Sequence, residues 1–475
     1  MICQKDYSVR FRGGKIMVHS KTAFVVYGVH KDGLKDPDGN LFIDYDLIAK
    51  SKEALKAQDI ELVEEELIVA TKQEAKDILL PLAKDDSIDT LVLFSGTWVW
   101  AAHMIAAIRE FAKTGKGIVI WTHDGSQGWR PVGGLVLDAA LNEIGINHKF
   151  VYGGADDVAT VKRISNYCKA SALKKSMEMT TLRAFGGRGM GQTCGVADPS
   201  QWMRMFGIDI DTRDTYELVE LAKSIPQSEV DAMCDWIDAN FNDKVERVEG
   251  NFRSIRLYLA LKALKERDGY DYYTIQSFPG MGDYYAATCF AQSMMLNDGV
   301  PTATLSDFNT CLSSIMIMGL SKDPIYYGDL QHTDKKRNEI KIIGDGAVPP
   351  CLANEAGVKL AGHGIPTEGE AGGMSIDLVC KSGEGVLARV SRVKGEFQIV
   401  VAKCEVVQPD PAELEKRRHE CGIPFWPHAF VQVKGDSGAL MENWGNEYGC
   451  LGYGEDLYDQ IIDFGKLMGI KVVAF

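Results

Sequence analysis

IDTLVLFSGTWVWAAHMIAAIREFAKTGKGIVIWT, residues 88–122, reads as a strand, a helix and a second strand. The apolar runs IDTLVLFSG and GIVIWT are short and bounded by turn residues, while AAHMIAAIREFAKTG between them has helical periodicity. Parallel strands cannot be joined by a tight turn, so this alternation marks a crossover in a parallel sheet.

The same pattern extends on both sides. TAFVVYGV from Thr22, IELVEEELIVA from Ile60 and HKFVYGG from His148 add three strands, making an open parallel sheet of five. A second alternating block starts at TTLRAFGG from Thr180. It continues through GIDIDT, a long helical stretch between about Gln227 and Arg267, then DYYTIQSF, PTATLS and IYYGDL. From about Ala347 the texture becomes Gly-rich and strand-like, as in GVLARVSRVKGEFQIVVAKCEVV and FWPHAFVQVKG, which suggests an antiparallel β module. The helix EDLYDQIIDFGKLMG and the strand IKVVAF follow. The expected fold is α/β: two Rossmann-like parallel-sheet domains, residues 1–177 and 178–348, followed by a β-rich C-terminal domain, 349–475.

Composition narrows the function classes. Over 475 residues, 52 Lys and Arg against 66 Asp and Glu leave a formal charge of −14, the wrong sign for holding nucleic acid. Eleven cysteines are scattered with no CxxC pair, which fits a reducing cytoplasm better than a disulfide framework. No run approaches the roughly 18 apolar residues of a membrane span, and MICQKDYSVRFRGGK lacks the apolar centre of a signal peptide.

In open α/β sheets ligands gather beyond the carboxyl ends of the strands, so the polar residues after each apolar run are the ones to inspect. They are Thr97-Trp98, His123-Asp124-Gly125, Arg188-Gly189-Met190-Gly191, Asp329 and Asp345. GGRGMG lacks the Lys-Ser/Thr of a P-loop and the spacing of GxGxxG, which points to a tight turn rather than a phosphate cradle. Asp329 and Asp345 both adjoin glycine and follow strand-like runs. They read equally well as oxygen ligands for a hard cation or as turn and helix caps. Cys289, Cys311 and Cys351 have no activating base nearby in sequence, and Trp98, Trp100, Trp121, Trp129, Trp426 and Trp444 are either core residues or sugar-packing faces.

Taken in order, FSGTWVW, WTHDGSQGWRPVGGLVLDAALNEIGINHKFVYGG, FGGRGMG with VADPSQWMRMFGIDID, AATCFAQSMMLNDGVPTATLSDFNTCL, IYYGDL, GDGAVPPCLA, FWPHAFVQVKGD and ENWGNEYGCLGYGEDL resemble the L-fucose isomerase and L-arabinose isomerase superfamily, above all its fucose isomerase-like members. The resemblance implies two Rossmann-like domains followed by a β-rich one. It also implies aldose–ketose interconversion through a cis-enediol, with a divalent metal, Mn²⁺ or Mg²⁺, gripping two sugar oxygens.

Carried over by position, the family's catalytic and metal-binding acid falls on Asp329. Its other catalytic Glu falls on Leu305 in ATLSDFNTC, and its histidine ligands fall near Asp345 and Glu447. The implied metal set is therefore Asp329, Asp345 and Glu447, with Asp307 read as a helix cap. Sugar contacts carry over to Trp98, Met190, Gln276 and Asn446, and less directly to His30, His123 and Trp426. The expectation is a cytoplasmic homo-oligomeric sugar isomerase, trimer or hexamer, whose partner is a small sugar and not nucleic acid or membrane. Leu305 leaves open an epimerase or lyase, or a non-catalytic sugar-binding relative.

Overall fold

The computed structural model describes residues 18–29, 33–35, 39, 41–123, 129–363, 372–420 and 423–475. The chain forms two compact units, Val18–Ser176 with Asp459–Gly469, and Met177–Tyr458 with Ile470–Phe475.

In the first unit β1 (Ser20–Tyr27), β2 (Ile60–Glu64), β3 (Thr90–Ser95), β4 (Gly117–Thr122) and β5 (Lys149–Tyr152) form a parallel sheet ordered β2-β1-β3-β4-β5. All five runs picked out by apolar content are strands. Every residue of β3 and β4 is buried, as unbroken apolar runs require when helices cover both faces. One face packs on Leu79, Ala107, Phe111 and Leu137, the other on Ile48, Leu55, Ile164 and, from the returning segment, Leu467. Gly134 explains how the helix Arg130–Glu143 lies so close: a Cβ there would meet the Thr122 side chain at 2.8 Å.

The second unit begins with β6 (Thr180–Phe185), β7 (Ile208–Arg213), β8 (Tyr272–Ile275) and β9 (Thr302–Ala303), a parallel sheet ordered β7-β6-β8-β9. The long helical stretch resolves into Gln227–Asn240 and Glu249–Asp268. IYYGDL does not extend this sheet. As β10 (Tyr326–Asp334) it pairs antiparallel with β11 (Glu339–Ile343), because an apolar run announces a strand but not the direction of its neighbours.

Beyond β12 (Lys359–Gly362) and β13 (Met374–Asp377), an antiparallel pair, come β14 (Gly383–Val393), β15 (Glu396–Val407), β16 (His428–Val433) and β17 (Tyr448–Tyr453). The order β14-β17-β10-β11-β16-β15 closes on itself through β14–β15 pairing, giving a barrel, and β18 (Lys471–Ala474) adds to β15 in parallel. Closure leaves no exposed edge among the barrel strands themselves. The helix Phe308–Leu320 is buried from Asn309 to Leu320, packing on β8 and β9 on one side and on β14 and β17 on the other, so sheet and barrel share one core.

Candidate active site

The barrel register gathers the acids. Asp329 on β10 stands opposite Tyr448 of β17 on one side and Ile343 of β11 on the other. Glu447 directly precedes Tyr448, and Asp345 lies two residues past Ile343, so pairing alone brings three carboxylates to one end of the barrel. The Leu330 amide donates to the Glu447 carbonyl at 2.9 Å. Gly328 is required here, since a Cβ on it would lie 2.4 Å from the Ile343 carbonyl oxygen.

Facing these acids are the loops that leave β6, β8 and β9. Leu305 and Ser306 both hold left-handed backbone (φ 58° and 52°), and the Leu305 amide donates to Ser277 Oγ at 2.9 Å. Gly189 approaches the Leu305 carbonyl so closely that a Cβ would sit 2.1 Å from its oxygen. The GGRGMG segment is thus a tight turn that presents Met190, itself at φ 48°. Asp307 caps Phe308–Leu320 by accepting from the Thr310 amide at 3.0 Å, the cap role expected for it.

Between loops and barrel lies a cavity of about 350 Å³ lined by Asp329, Asp345, Glu447, Leu305, Met190, Gln192, Ser277, Thr288, Cys289, His363, Trp426 and Tyr448, among others. Its volume is at the lower end of small-molecule sites, which run from about 300 Å³. Burial pushes Asp329 up to about 6, helped by the negative charges of Asp345 and Glu447. Burial likewise pushes Asp345 up to about 6, against hydrogen bonds from the Thr304 side chain and the Ala347 backbone. Glu447 accepts a hydrogen bond from Gln192 Nε2. Two carboxyls with pKa values near working pH can each hold or release a proton.

Asp329, Asp345, Glu447, Met190 and Leu305 all line the one cavity, as does Trp426. Gln276 and Asn446 are not lining residues: Gln276 Oε1 accepts from the Gly187 amide at 2.8 Å, and Asn446 Oδ1 accepts from the Tyr448 amide at 3.0 Å. Trp98, half-buried past β3, and His123 past β4 belong to the first unit, while Trp121 and Trp444 are core residues. His30, Asp124 and Gly125 lie outside the described residues. Nine cysteines are described and all are free.

His363 went unmarked in sequence. It follows β12 with no apolar strand of sheet type before it, and it meets Cys289 only through the fold, Nδ1 to Sγ 3.7 Å. Gln192 and Ser277 carry no sequence signal beyond following β6 and β8, and Thr288, which precedes the helix Cys289–Asn297, carries none. Tyr448 had one, adjacency to Glu447.

The donor set bears on the expected cation. Among the described residues no three His, Cys, Asp or Glu side chains are grouped to hold a metal ion. Yet Asp345 Oδ1 is buried without a hydrogen-bond partner, and the charge of Asp345 helps to raise the pKa of Asp329. Asp329 and Asp345 offer carboxylate oxygens of the kind a hard cation takes, in an open cavity rather than a closed protein cage.

No protein-family model matches the chain. It is 23% identical over 337 residues to the sulfoquinovose isomerase of Clostridium sp. (strain MSTE9), covering 69% of this chain and 71% of that protein. To the L-arabinose isomerase of Arthrobacter sp. (strain FB24) it is 22% identical over 282 residues, 57% of this chain and 54% of that protein. The L-arabinose isomerase of Nocardioides sp. (strain ATCC BAA-499 / JS614) gives 21% over 277 residues, 56% and 55%. The match therefore spans about half the length of the arabinose isomerases. A periplasmic solute binding protein of an ABC transporter from Actinobacillus succinogenes 130z, with bound D-allose, aligns over 62% of this chain and 88% of its own at 14% identity, but a TM-score of 0.19 carries no argument. At low identity, the chain is similar to sugar isomerases.

Proposed function

We propose that the protein interconverts an aldose and its ketose, moving a proton between C1 and C2 through a cis-enediol. The observation that carries this reading is the convergence of Asp329 and Asp345 on one cavity, each pushed up to about 6. Asp329 takes the proton from C2 of the open-chain aldose and returns it to C1, while the O2 hydroxyl proton passes to O1, so that C1=O1 becomes C1–OH and C2–OH becomes C2=O2. Ser277, Thr288 and Tyr448 offer hydroxyls for sugar oxygens, and the Trp426 ring offers an apolar face for sugar C–H groups. A divalent cation, Mn²⁺ or Mg²⁺, held by Asp329, Asp345 and Glu447, would stabilise negative charge on the sugar oxygens.

The described lining residues include no Lys or Arg to pair with a sulfonate or phosphate, which favours a neutral sugar. We therefore place the substrate among uncharged pentoses and hexoses. The family resemblance also suggests a trimer or hexamer in the cytoplasm, which light scattering and fractionation test. No described helix is long and apolar enough to cross a membrane.

The test is proton exchange in D₂O with L-arabinose, L-fucose, D-glucose and sulfoquinovose, each with and without Mn²⁺ or Mg²⁺. Deuterium at C2 of a neutral sugar together with ketose formation, both lost in Asp329→Asn, is the expected result. Exchange with none of them would overturn the isomerase reading. It would favour the second one, a sugar-binding relative without catalysis, for which Leu305 on the cavity wall speaks.

A further inference from the structure

The proton-transfer residues assigned so far act at C1 and C2, yet a pentose or hexose in water is overwhelmingly cyclic. Before enolisation its C1–O5 bond must break, with a proton leaving O1 and a proton arriving at O5. The site needs a group for this step that is not already committed to carbon.

Among the described lining residues His363 is the one nitrogen base. It is fixed from three sides. It directly follows β12, its carbonyl accepts from Trp426 Nε1 at 3.0 Å, and its ring lies 6.2 Å from the Trp426 ring at a 39° tilt. Its Nδ1 faces Cys289 Sγ at 3.7 Å. With hydrogen on Nδ1, directed at the sulfur, Nε2 is left as a proton acceptor.

We infer that His363 opens the sugar ring: Nε2 accepts the O1 proton, C1=O1 forms as the C1–O5 bond breaks with its electron pair going to O5, and the imidazolium returns the proton to O5. Atoms balance without any co-reactant, since the net change is one proton moved from O1 to O5. In that tautomer Cys289 is a positioning residue, its sulfur taking the Nδ1 hydrogen. Burial holds the imidazole below its usual range, so it is neutral and able to accept at physiological pH. This inference rests on the sugar-isomerase reading for its ligand, but its chemistry can be read separately.

The separate readout is anomer exchange, which needs ring opening and no transfer at carbon. Using ¹³C1-labelled D-glucose, L-arabinose and L-fucose, magnetisation transfer between α and β anomers is measured with the full-length protein. The expected result is acceleration of exchange for at least one sugar. His363→Gln and His363→Ala should reduce it at least tenfold with unchanged circular dichroism, and free imidazole should restore it in His363→Ala. A purely structural histidine would show no rescue by imidazole, and that outcome overturns the proposal, as does wild-type exchange in His363→Gln or no acceleration by the wild type. Acceleration without ketose formation would overturn the isomerase reading and leave His363 in its role. Ketose formation without acceleration would do the reverse.

Discussion

Arg389 Nη2 donates to Asp307 Oδ2 at 2.7 Å, with both side chains fully withdrawn from solvent. This pair joins β14 of the barrel to the start of the helix Phe308–Leu320, two residues beyond Leu305, and so ties the barrel to the turn that forms the opposite wall of the cavity. Thr310 Oγ1 donates to Asp307 Oδ2 at 2.8 Å, completing the arrangement.

Removing one partner strands the other as a buried charge, so Arg389→Met should cost about 3–5 kcal/mol. Chemical denaturation measures it. The double variant Arg389→Met/Asp307→Asn should recover part of the loss. A single variant within 1 kcal/mol of wild type by the same measurement, an order-of-magnitude threshold, would show that the pair is not holding the two elements together.

Gly189→Ala should disable the site. Its Cβ would lie 2.1 Å from the Leu305 carbonyl oxygen, backbone that cannot yield cheaply, so the loops after β6 and β9 must part. Turnover should fall at least tenfold. Gly280→Ala, whose Cβ meets nothing within 4 Å, is the control and should change stability by less than about 0.5 kcal/mol.

His428 gives a pH dependence of defined sign. Burial first, then the charges of Arg418 and Lys341, hold it down to about 3, so the folded state keeps it neutral. The unfolded chain binds a proton near pH 6.5 and the folded one only near 3. The unfolded state therefore holds more protons between these values, and stability is lost as pH falls through that window. The slope contributed is up to about 1.4 kcal/mol per pH unit. Urea unfolding of His428→Gln at pH 7, 6, 5 and 4 should show a flatter decline than the wild type, and parallel curves would remove His428 from the account.

Leu305→Glu adds a carboxylate beside Asp329 and Asp345 at the position where the resembling family carries one. Calorimetric titration with Mn²⁺ should show affinity rising at least tenfold over wild type. Unchanged affinity would mean that the cavity does not gather a cation at that wall.

The strands were legible because their burial is complete: β3 and β4 are unbroken apolar runs, and runs of that kind announce themselves in one dimension. Which strands pair was less so. IYYGDL has the composition of its parallel-sheet predecessors, and only its antiparallel partners β11 and β17 assign it to the barrel. The three acids were found singly, by glycine neighbours or by family position, whereas their meeting depends on register between strands more than a hundred residues apart, as Asp329 pairs with Tyr448. His363 was missed because a histidine gains a role from what surrounds it, and Cys289 is separated from it by 74 residues.

The segment Asp459–Gly469 belongs to the first unit although the rest of that unit ends at Ser176. Lys149 Nζ donates to Asp463 Oδ2 at 2.5 Å, Gln460 Nε2 donates to Asn166 Oδ1 at 3.2 Å, and Leu467 fills the core beside Ile164 and Tyr167. On the ribosome, the first unit therefore emerges with a vacancy in its core that is filled only after the entire sheet-and-barrel sequence has been translated. Its final consolidation is a late event in synthesis.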